Sequence, residues 1–257
     1  MARVFVTGSS TGLGLMAGEL LVEQGHRVVL HARNQGRADE TRRALPQAEA
    51  VVVGDLSSVA GARSVAGEVN RLGRFNAIIH NAGVGYREAT PTKTADGLPH
   101  VFAVNVLAPY ILTALIERPD RLVYLSSGMH RSANARLDDL TWTRRAWNGA
   151  AAYAESKFLD VLIAFDVARR WPDVLSNALE PGWVATRMGG ANAPDDLDQA
   201  HRTQVWLAIS DEPEARVTGK YFRYMRQRAP DPQTASVELQ DRLIAECGRL
   251  SGVALPA

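Results

Sequence analysis

Tyr153 and Lys157 stand four residues apart in the run Ala151-Ala152-Tyr153-Ala154-Glu155-Ser156-Lys157. A phenol and an alkylammonium both titrate near pH ~10 when undisturbed, so neither trades protons readily at neutral pH. Four residues apart on a helix they share a face and come within reach of each other. The cation there favours the phenolate and draws the phenol toward useful acidity. The pairing stands out because the chain has 26 arginines and only three lysines. A plain helix-surface contact is the alternative, and the rest of the sequence must decide.

A second chemical feature lies at the start of the chain. Val4-Phe5-Val6-Thr7-Gly8-Ser9-Ser10-Thr11-Gly12-Leu13-Gly14 places a glycine-rich turn between an apolar run and a helical pattern. Gly8 allows a tight exit, Gly12 lets the backbone approach a pyrophosphate, and Gly14 lets helix and sheet pack closely. Ser10, Thr11 and Leu13 complete this cradle, where a helix N-terminus offers unpaired N–H groups to phosphate. A tight turn with no ligand is the competing reading. An acidic residue ending the next strand would select NAD, and an arginine would select NADP. Leu30-His31-Ala32-Arg33-Asn34 has no carboxylate before Asp39, so Arg33, aided by His31, favours NADP(H) over NAD(H). Asp55, with Leu56 beside it, is a candidate for the adenine amino group, or else for capping a helix near Ser57.

These groups need a scaffold. Val4–Val6, Val28–Leu30, Val51–Val53, Ala77–Ile79, Leu122–Leu125 and Val174–Ala178 are apolar runs without polar alternation. Such runs suit parallel strands covered on both faces. Between them, helical patterns fall at about 13–24, 36–45, 57–72, 95–117 and 151–171. The alternation predicts an α/β fold, a Rossmann-type doubly wound parallel sheet with helices on both faces. Residues 1–190 form the dinucleotide-binding core with the catalytic residues. Residues 191–257, with helices near 196–209 and 234–247 and a strand near Val217–Phe222, read as a substrate-side appendage of the same domain.

Composition excludes several classes. With 46% hydrophobic and 22% charged residues the chain is globular in character. A formal net charge of +1 leaves no electrostatic footprint for nucleic acid. Cys247 is the single cysteine, so an intrachain disulfide and a thiolate metal cluster are both excluded. The six histidines show no metal-ligand spacing. No apolar run approaches the ~20 residues that span a bilayer, and the short stretch before Val4 is no signal peptide. A soluble, cytoplasmic protein is the expectation.

Thr7-Gly8 through Gly14, Asn81-Ala82-Gly83, Ser126-Ser127, Tyr153 to Lys157 and Pro181-Gly182 occur in the order seen in short-chain dehydrogenases/reductases. The resemblance covers roughly residues 2–190. Asp138-Asp139-Leu140-Thr141-Trp142 and Thr218-Gly219-Lys220-Tyr221-Phe222 further resemble the retinol-dehydrogenase-like branch. The resemblance implies that Tyr153 is the general acid–base and that Lys157 supports it while binding the nicotinamide ribose. It also implies that Ser127, with Ser126 as fallback, holds the substrate oxygen. Asn105 would serve a proton relay through water to the lysine. Its own surroundings add a physical handle: Pro109 lacks an N–H, so the Asn105 carbonyl loses its helical partner and the helix should bend. Asn81, Ala82 and Gly83 would shape the cofactor floor, and Pro181, Gly182, Val184 and Thr186 would flank the nicotinamide. His130, Trp142, Trp147, Trp183 and Met188 are candidates for an apolar substrate wall.

The family's NADP users often carry a basic residue near the position of Thr11, which this chain lacks, so the cofactor preference rests on Arg33. The leading function is an NADP(H)-dependent oxidoreductase acting on a ketone, aldehyde or alcohol of a fairly apolar small molecule. The alternatives are a catalytically silent NADP-binding sensor or scaffold, and an epimerase or dehydratase using the same Tyr–Lys pair. Neither nucleic acid nor membrane is an expected partner. The apolar helices around 95–117 and 151–171 resemble those through which relatives form homodimers or homotetramers.

Overall fold

The computed structural model describes residues 1–133 and 136–257. Its first third alternates strand and helix: β1 (Arg3–Val6), α1 (Gly12–Glu23), β2 (Arg27–Ala32), α2 (Gln35–Ala44), β3 (Ala50–Val53), α3 (Val59–Arg71) and β4 (Ala77–His80). Then come α4 (His100–Phe102), a π-helical turn over Ala103–Leu107, α5 (Ala108–Leu115), β5 (Arg121–Leu125), α6 (Gly149–Arg170) and β6 (Leu175–Leu179). The last part holds α7 (Leu197–Ala200), α8 (Arg202–Ile209), β7 (Tyr221–Arg223), β8 (Arg226–Arg228) and α9 (Val237–Ser251).

The strands form one sheet in the order β3-β2-β1-β4-β5-β6-β7-β8, parallel throughout except for the antiparallel β7–β8 pair. Strand side chains alternate between two cores, as a period of two requires. Phe5, Val29 and Ile78 face the core beneath α3, α5, α6 and α9. Val4, Val6, Val28 and Leu30 face the core beneath α1, α2 and α8. Each fully buried Phe, Leu or Val side chain stabilises the fold by about 1.5–3 kcal/mol. Both faces are therefore apolar, which explains strands without polar alternation. Strand order reverses between β1 and β4, opening a crevice at their C-terminal ends.

Several boundaries differ from the sequence reading. The helix expected from residue 95 begins at His100, because 91–99 forms a turn tied by Lys93–Pro99 pairing. The predicted irregularity before Pro109 takes the form of the π turn, in which the Ala108 N–H bonds the Ala103 carbonyl. The expected helix at 196–209 is split into α7 and α8. β8 has the fully exposed sequence Arg-Gln-Arg and no apolar signal. With β7 it extends the same sheet, ending it on a short charged edge that discourages further pairing. Ala108–Ala114 and most of α6 are buried within this chain, so their apolar runs are accounted for without a second copy. No described helix is long and apolar enough to cross a membrane.

Candidate active site

The glycine turn is held by four side chains, of which the sequence reading gave no role to Thr7 and Ser9. Ser9 is fully buried; its hydroxyl donates to the Val6 carbonyl and accepts the His31 N–H. His31 accepts the Gly8 N–H at Nδ1 (3.0 Å) and donates from Nε2 to the Gly54 carbonyl (2.9 Å). Burial holds its pKa below the ordinary imidazole range, with the Gly54 bond and Asp55 pulling the other way. His31 is thus a neutral brace, with both nitrogens occupied, and not an aid to Arg33 in cofactor choice. Asn81 donates to the Thr7 and Gly8 carbonyls, and Thr7 Oγ1 accepts the N–H groups of Asn81 and Ala82. At Gly8, with φ +60°, a β-carbon would stand 2.6 Å from the Ala82 Cα, so a glycine is required there.

The cradle itself is open. Of the five longest helices, α2, α3, α6 and α9 are capped by Asn34, Ser58, Asn148 and Ser236. At α1 the capping position is Thr11, which makes no side-chain cap bond. Gly12, at φ +58°, has nothing within 4 Å of where a β-carbon would sit. This free N-terminus beneath open space fits a pyrophosphate. Arg33 is exposed and forms no ion pair among the described residues. Asp55 is exposed, with Oδ1 accepting the Ser57 N–H, whereas Ser58 caps α3. Leu56 is buried in the core, leaving only its main chain for a ligand.

The second cluster forms where β4, β5, the π turn and α6 converge. Tyr153 is 7% exposed, and among the described residues its hydroxyl has no hydrogen-bond partner. The Tyr86 ring meets the Tyr153 ring edge-on at 5.7 Å. Lys157 Nζ lies 5.9 Å from the Tyr153 ring centroid. It donates to the Leu125 carbonyl at 2.7 Å and to Asp160 Oδ2 at 2.8 Å. Asp160, 2% exposed, was missed in the sequence; an acid three residues beyond a lysine within an apolar helix was the signal. Burial lifts the Asp160 carboxyl to about 6, against the pull of Lys157. Burial also works against the Lys157 ammonium, but Asp160 and Tyr153 outweigh it and hold its pKa above the ordinary lysine value. At neutral pH the pair is ionised.

Asn105 is 1% exposed; Oδ1 accepts the Val84 N–H at 2.8 Å, and Nδ2 donates to the Val84 carbonyl and Ser156 Oγ. It fastens the segment after β4 to α6. A β-carbon on Gly83 would lie 3.5 Å from Asn105 Oδ1 and 3.7 Å from Lys157 Nζ, so these expected residues do gather at one spot. Ser126 is buried, and its hydroxyl donates to the Lys157 carbonyl. Ser127 is half-buried; among the described residues its oxygen accepts only the Met129 N–H at 3.3 Å and its proton has no acceptor. Of the serine pair, Ser127 alone is available to a ligand.

The expected substrate wall is only partly assembled. His130 is fully buried; it donates to the Ser127 carbonyl (2.7 Å) and accepts the Asp231 N–H, so it props the serine turn and cannot line a cavity. Trp142 and Trp147 pack on each other at 5.2 Å, with Arg145 over Trp142 and the Trp147 indole bonded to the Glu88 carbonyl. Trp183 is 55% exposed beyond Pro181 and Gly182, its indole donating to the Gly189 carbonyl. Met188 lies against Gly85. Val184 is buried and its carbonyl accepts the Thr186 N–H at 2.7 Å. No His, Cys, Asp and Glu cluster among the described residues could hold a metal ion.

Residues 2–122 match the family described as short chain dehydrogenase. Over 260 residues the chain is 43% identical to an uncharacterized oxidoreductase of Emericella nidulans, covering 100% of this chain and 99% of that protein. It is 30% identical over 289 residues to human retinol dehydrogenase 13, covering 99% of this chain and 86% of the relative. A blue fluorescent protein from a metagenomic library, solved in complex with NADPH, has a TM-score of 0.69 at 18% identity; the match covers 86% of this chain and 95% of that one.

Proposed function

This chain belongs to the short-chain dehydrogenase family, and on that premise we propose that it is an NADP(H)-dependent oxidoreductase interconverting a ketone or aldehyde with an alcohol. Its substrate is a fairly apolar small molecule. The observation that carries the reading is Tyr153: a nearly buried phenol without a hydrogen-bond partner among the described residues, beside a buried ammonium, at the C-terminal edge of a parallel sheet. The cofactor fits the uncapped N-terminus of α1 and the open space at Gly12. Gly8, Ser10, Thr11, Gly12, Leu13 and Gly14 would hold its phosphates, Arg33 its 2′-phosphate, and Asp55 with the Leu56 main chain its adenine end. Asn81, Ala82 and Gly83 form the floor, and Pro181, Gly182, Val184 and Thr186 the far side. When bound, the nicotinamide supplies or accepts a hydride.

The protein's own work is proton placement. In the reducing direction Tyr153 gives its proton to the substrate oxygen, while the free Ser127 hydroxyl donates a hydrogen bond to the same atom. The Lys157 ammonium attracts the negative charge that grows on the phenol oxygen. Asp160 and the Leu125 carbonyl fix that ammonium in place. Asn105 holds the floor to α6, and its main-chain carbonyl has no N–H from Pro109 to accept. Tyr86, packed edge-on against the Tyr153 ring, would help keep water from the reacting carbon.

The test is loss of NADPH absorbance with a panel of ketones and aldehydes. Tyr153→Phe should lower kcat by about 10²–10⁴-fold and leave NADPH affinity unchanged. Full turnover by the Phe variant would overturn the assignment.

A further inference from the structure

Arg131, Glu180, Arg223, Tyr224 and Arg228 line an open cleft of ≈ 460 Å³ at the edge of the sheet. It borders the candidate active site on two sides. A β-carbon on Gly128, the residue after Ser127, would lie 2.5 Å from Glu180 Oε2 and 4.0 Å from Arg131 Nη1. A β-carbon on Gly182, on the loop assigned to the nicotinamide, would lie 2.6 Å from the Tyr224 hydroxyl. Tyr224 and Met225 both have positive φ, 51° and 58°, in the turn joining β7 to β8. That turn brings the Tyr224 hydroxyl against the loop while β8 sets Arg228 across the cleft. Positive φ at both central residues is what a two-residue hairpin turn demands, so the turn fixes the direction of Tyr224.

The charges do not cancel. Arg131 Nη1 stands 3.4 Å from Glu180 Oε1, and Arg223 Nη2 stands 3.1 Å from Asp195 Oδ2. Arg228 is exposed and has no ion pair among the described residues. Arg223 also lies against the Tyr224 ring, 4.9 Å from its centroid, which holds it on the cleft wall. Three guanidiniums against two carboxylates leave one positive charge, on the exposed Arg228 of the cleft wall. One uncompensated charge suits a monoanion better than a doubly charged phosphate, and planar guanidinium forks match a carboxylate.

Building on the oxidoreductase reading, we propose that this cleft holds a carboxylate on the substrate, so that the preferred substrates are oxo acids or hydroxy acids with an apolar middle. The carbonyl sits at Ser127 and Tyr153, and the carboxylate reaches Arg228 and Arg223.

The experiment compares 3-benzoylpropionate and 4-benzoylbutyrate with their methyl esters, using NADPH. The acid better matched in length should exceed its ester in kcat/KM by about tenfold or more. Arg228→Gln, on an exposed edge strand, should bring that ratio close to one. Direct binding of the same acids and esters, read by tryptophan fluorescence, keeps the two readings apart. An acid bound more tightly than its ester but never reduced supports the cleft and sinks the oxidoreductase reading. Reduction of acids and esters with equal efficiency overturns the cleft and leaves the reaction standing. Absence of acid preference in both measurements, or a preference that survives in Arg228→Gln, also overturns the cleft.

Discussion

The nucleotide-facing and substrate-facing halves of the crevice are built on opposite plans. Around the β1–α1 turn, the buried polar side chains are committed within the protein: Thr7, Ser9, His31 and Asn81 all hold backbone. What remains for a ligand is main chain, a bare helix end, the hydroxyls of Ser10 and Thr11, and one exposed cation, Arg33. On the other side, Tyr153, Ser127, Trp183 and Arg228 present side-chain groups with few or no protein partners. A pyrophosphate is the same in every substrate turnover, so a rigid backbone cradle suits it. A variable organic molecule is discriminated by side chains, which can change without disturbing the fold.

Substitutions should separate the two plans. The largest effect is expected at Gly8→Ala, where a β-carbon meets the Ala82 backbone and the residue keeps φ +60°. It should destabilise the protein by about 2–5 kcal/mol, seen as a lower denaturant midpoint with or without NADPH. Gly12→Ala meets no atom, so its cost to the free protein should be only about 1–2 kcal/mol, with NADPH affinity falling far more than stability. Equal behaviour of the two variants would erase the distinction between brace and cradle.

Next in size is Arg33→Ala. Losing a charge-assisted contact of roughly 1.5–3 kcal/mol should weaken NADPH by about one to two decades and leave NADH nearly unchanged, measured by titration of each. Parallel losses would remove the basis for NADP preference.

The smallest effect concerns Asp160. Its carboxyl, lifted to about 6 by burial, is charged above that pH and neutral below it. Asp160→Asn should therefore match wild type in kcat on the acid side of about 6 and diverge from it on the alkaline side, where wild type alone carries the negative charge beside Lys157. A pH–rate comparison checks this. A constant ratio across the whole range would assign Asp160 a purely structural role.

Legibility in the sequence followed the type of interaction. The glycine turn, Asn81-Ala82-Gly83 and the Tyr153–Lys157 spacing were readable because each depends on neighbours within a few residues. The π turn before Pro109 was foreshadowed for the same reason: one missing N–H disturbs a local ladder. His31 looked like a cofactor residue because nothing in the chain near it reveals Gly8 and Gly54, 23 residues away on either side. His130 looked like substrate wall because aromatic character alone does not reveal Ser127 and Asp231 closing over both ring nitrogens. β8 was invisible, since an exposed edge strand carries no apolar pattern.

The sequence alone determined the α/β alternation, the phosphate turn and the Tyr–Lys pair, because hydrophobic period, glycine placement and helical spacing are properties of contiguous chain. Only the tertiary structure decided which polar side chains are left free. That depends on partners brought together from distant segments: Asp231 occupying His130, Lys157's carbonyl occupying Ser126, and no described residue occupying the Tyr153 hydroxyl. A side chain's chemistry is fixed by its type, but its availability is fixed by what the fold sets beside it.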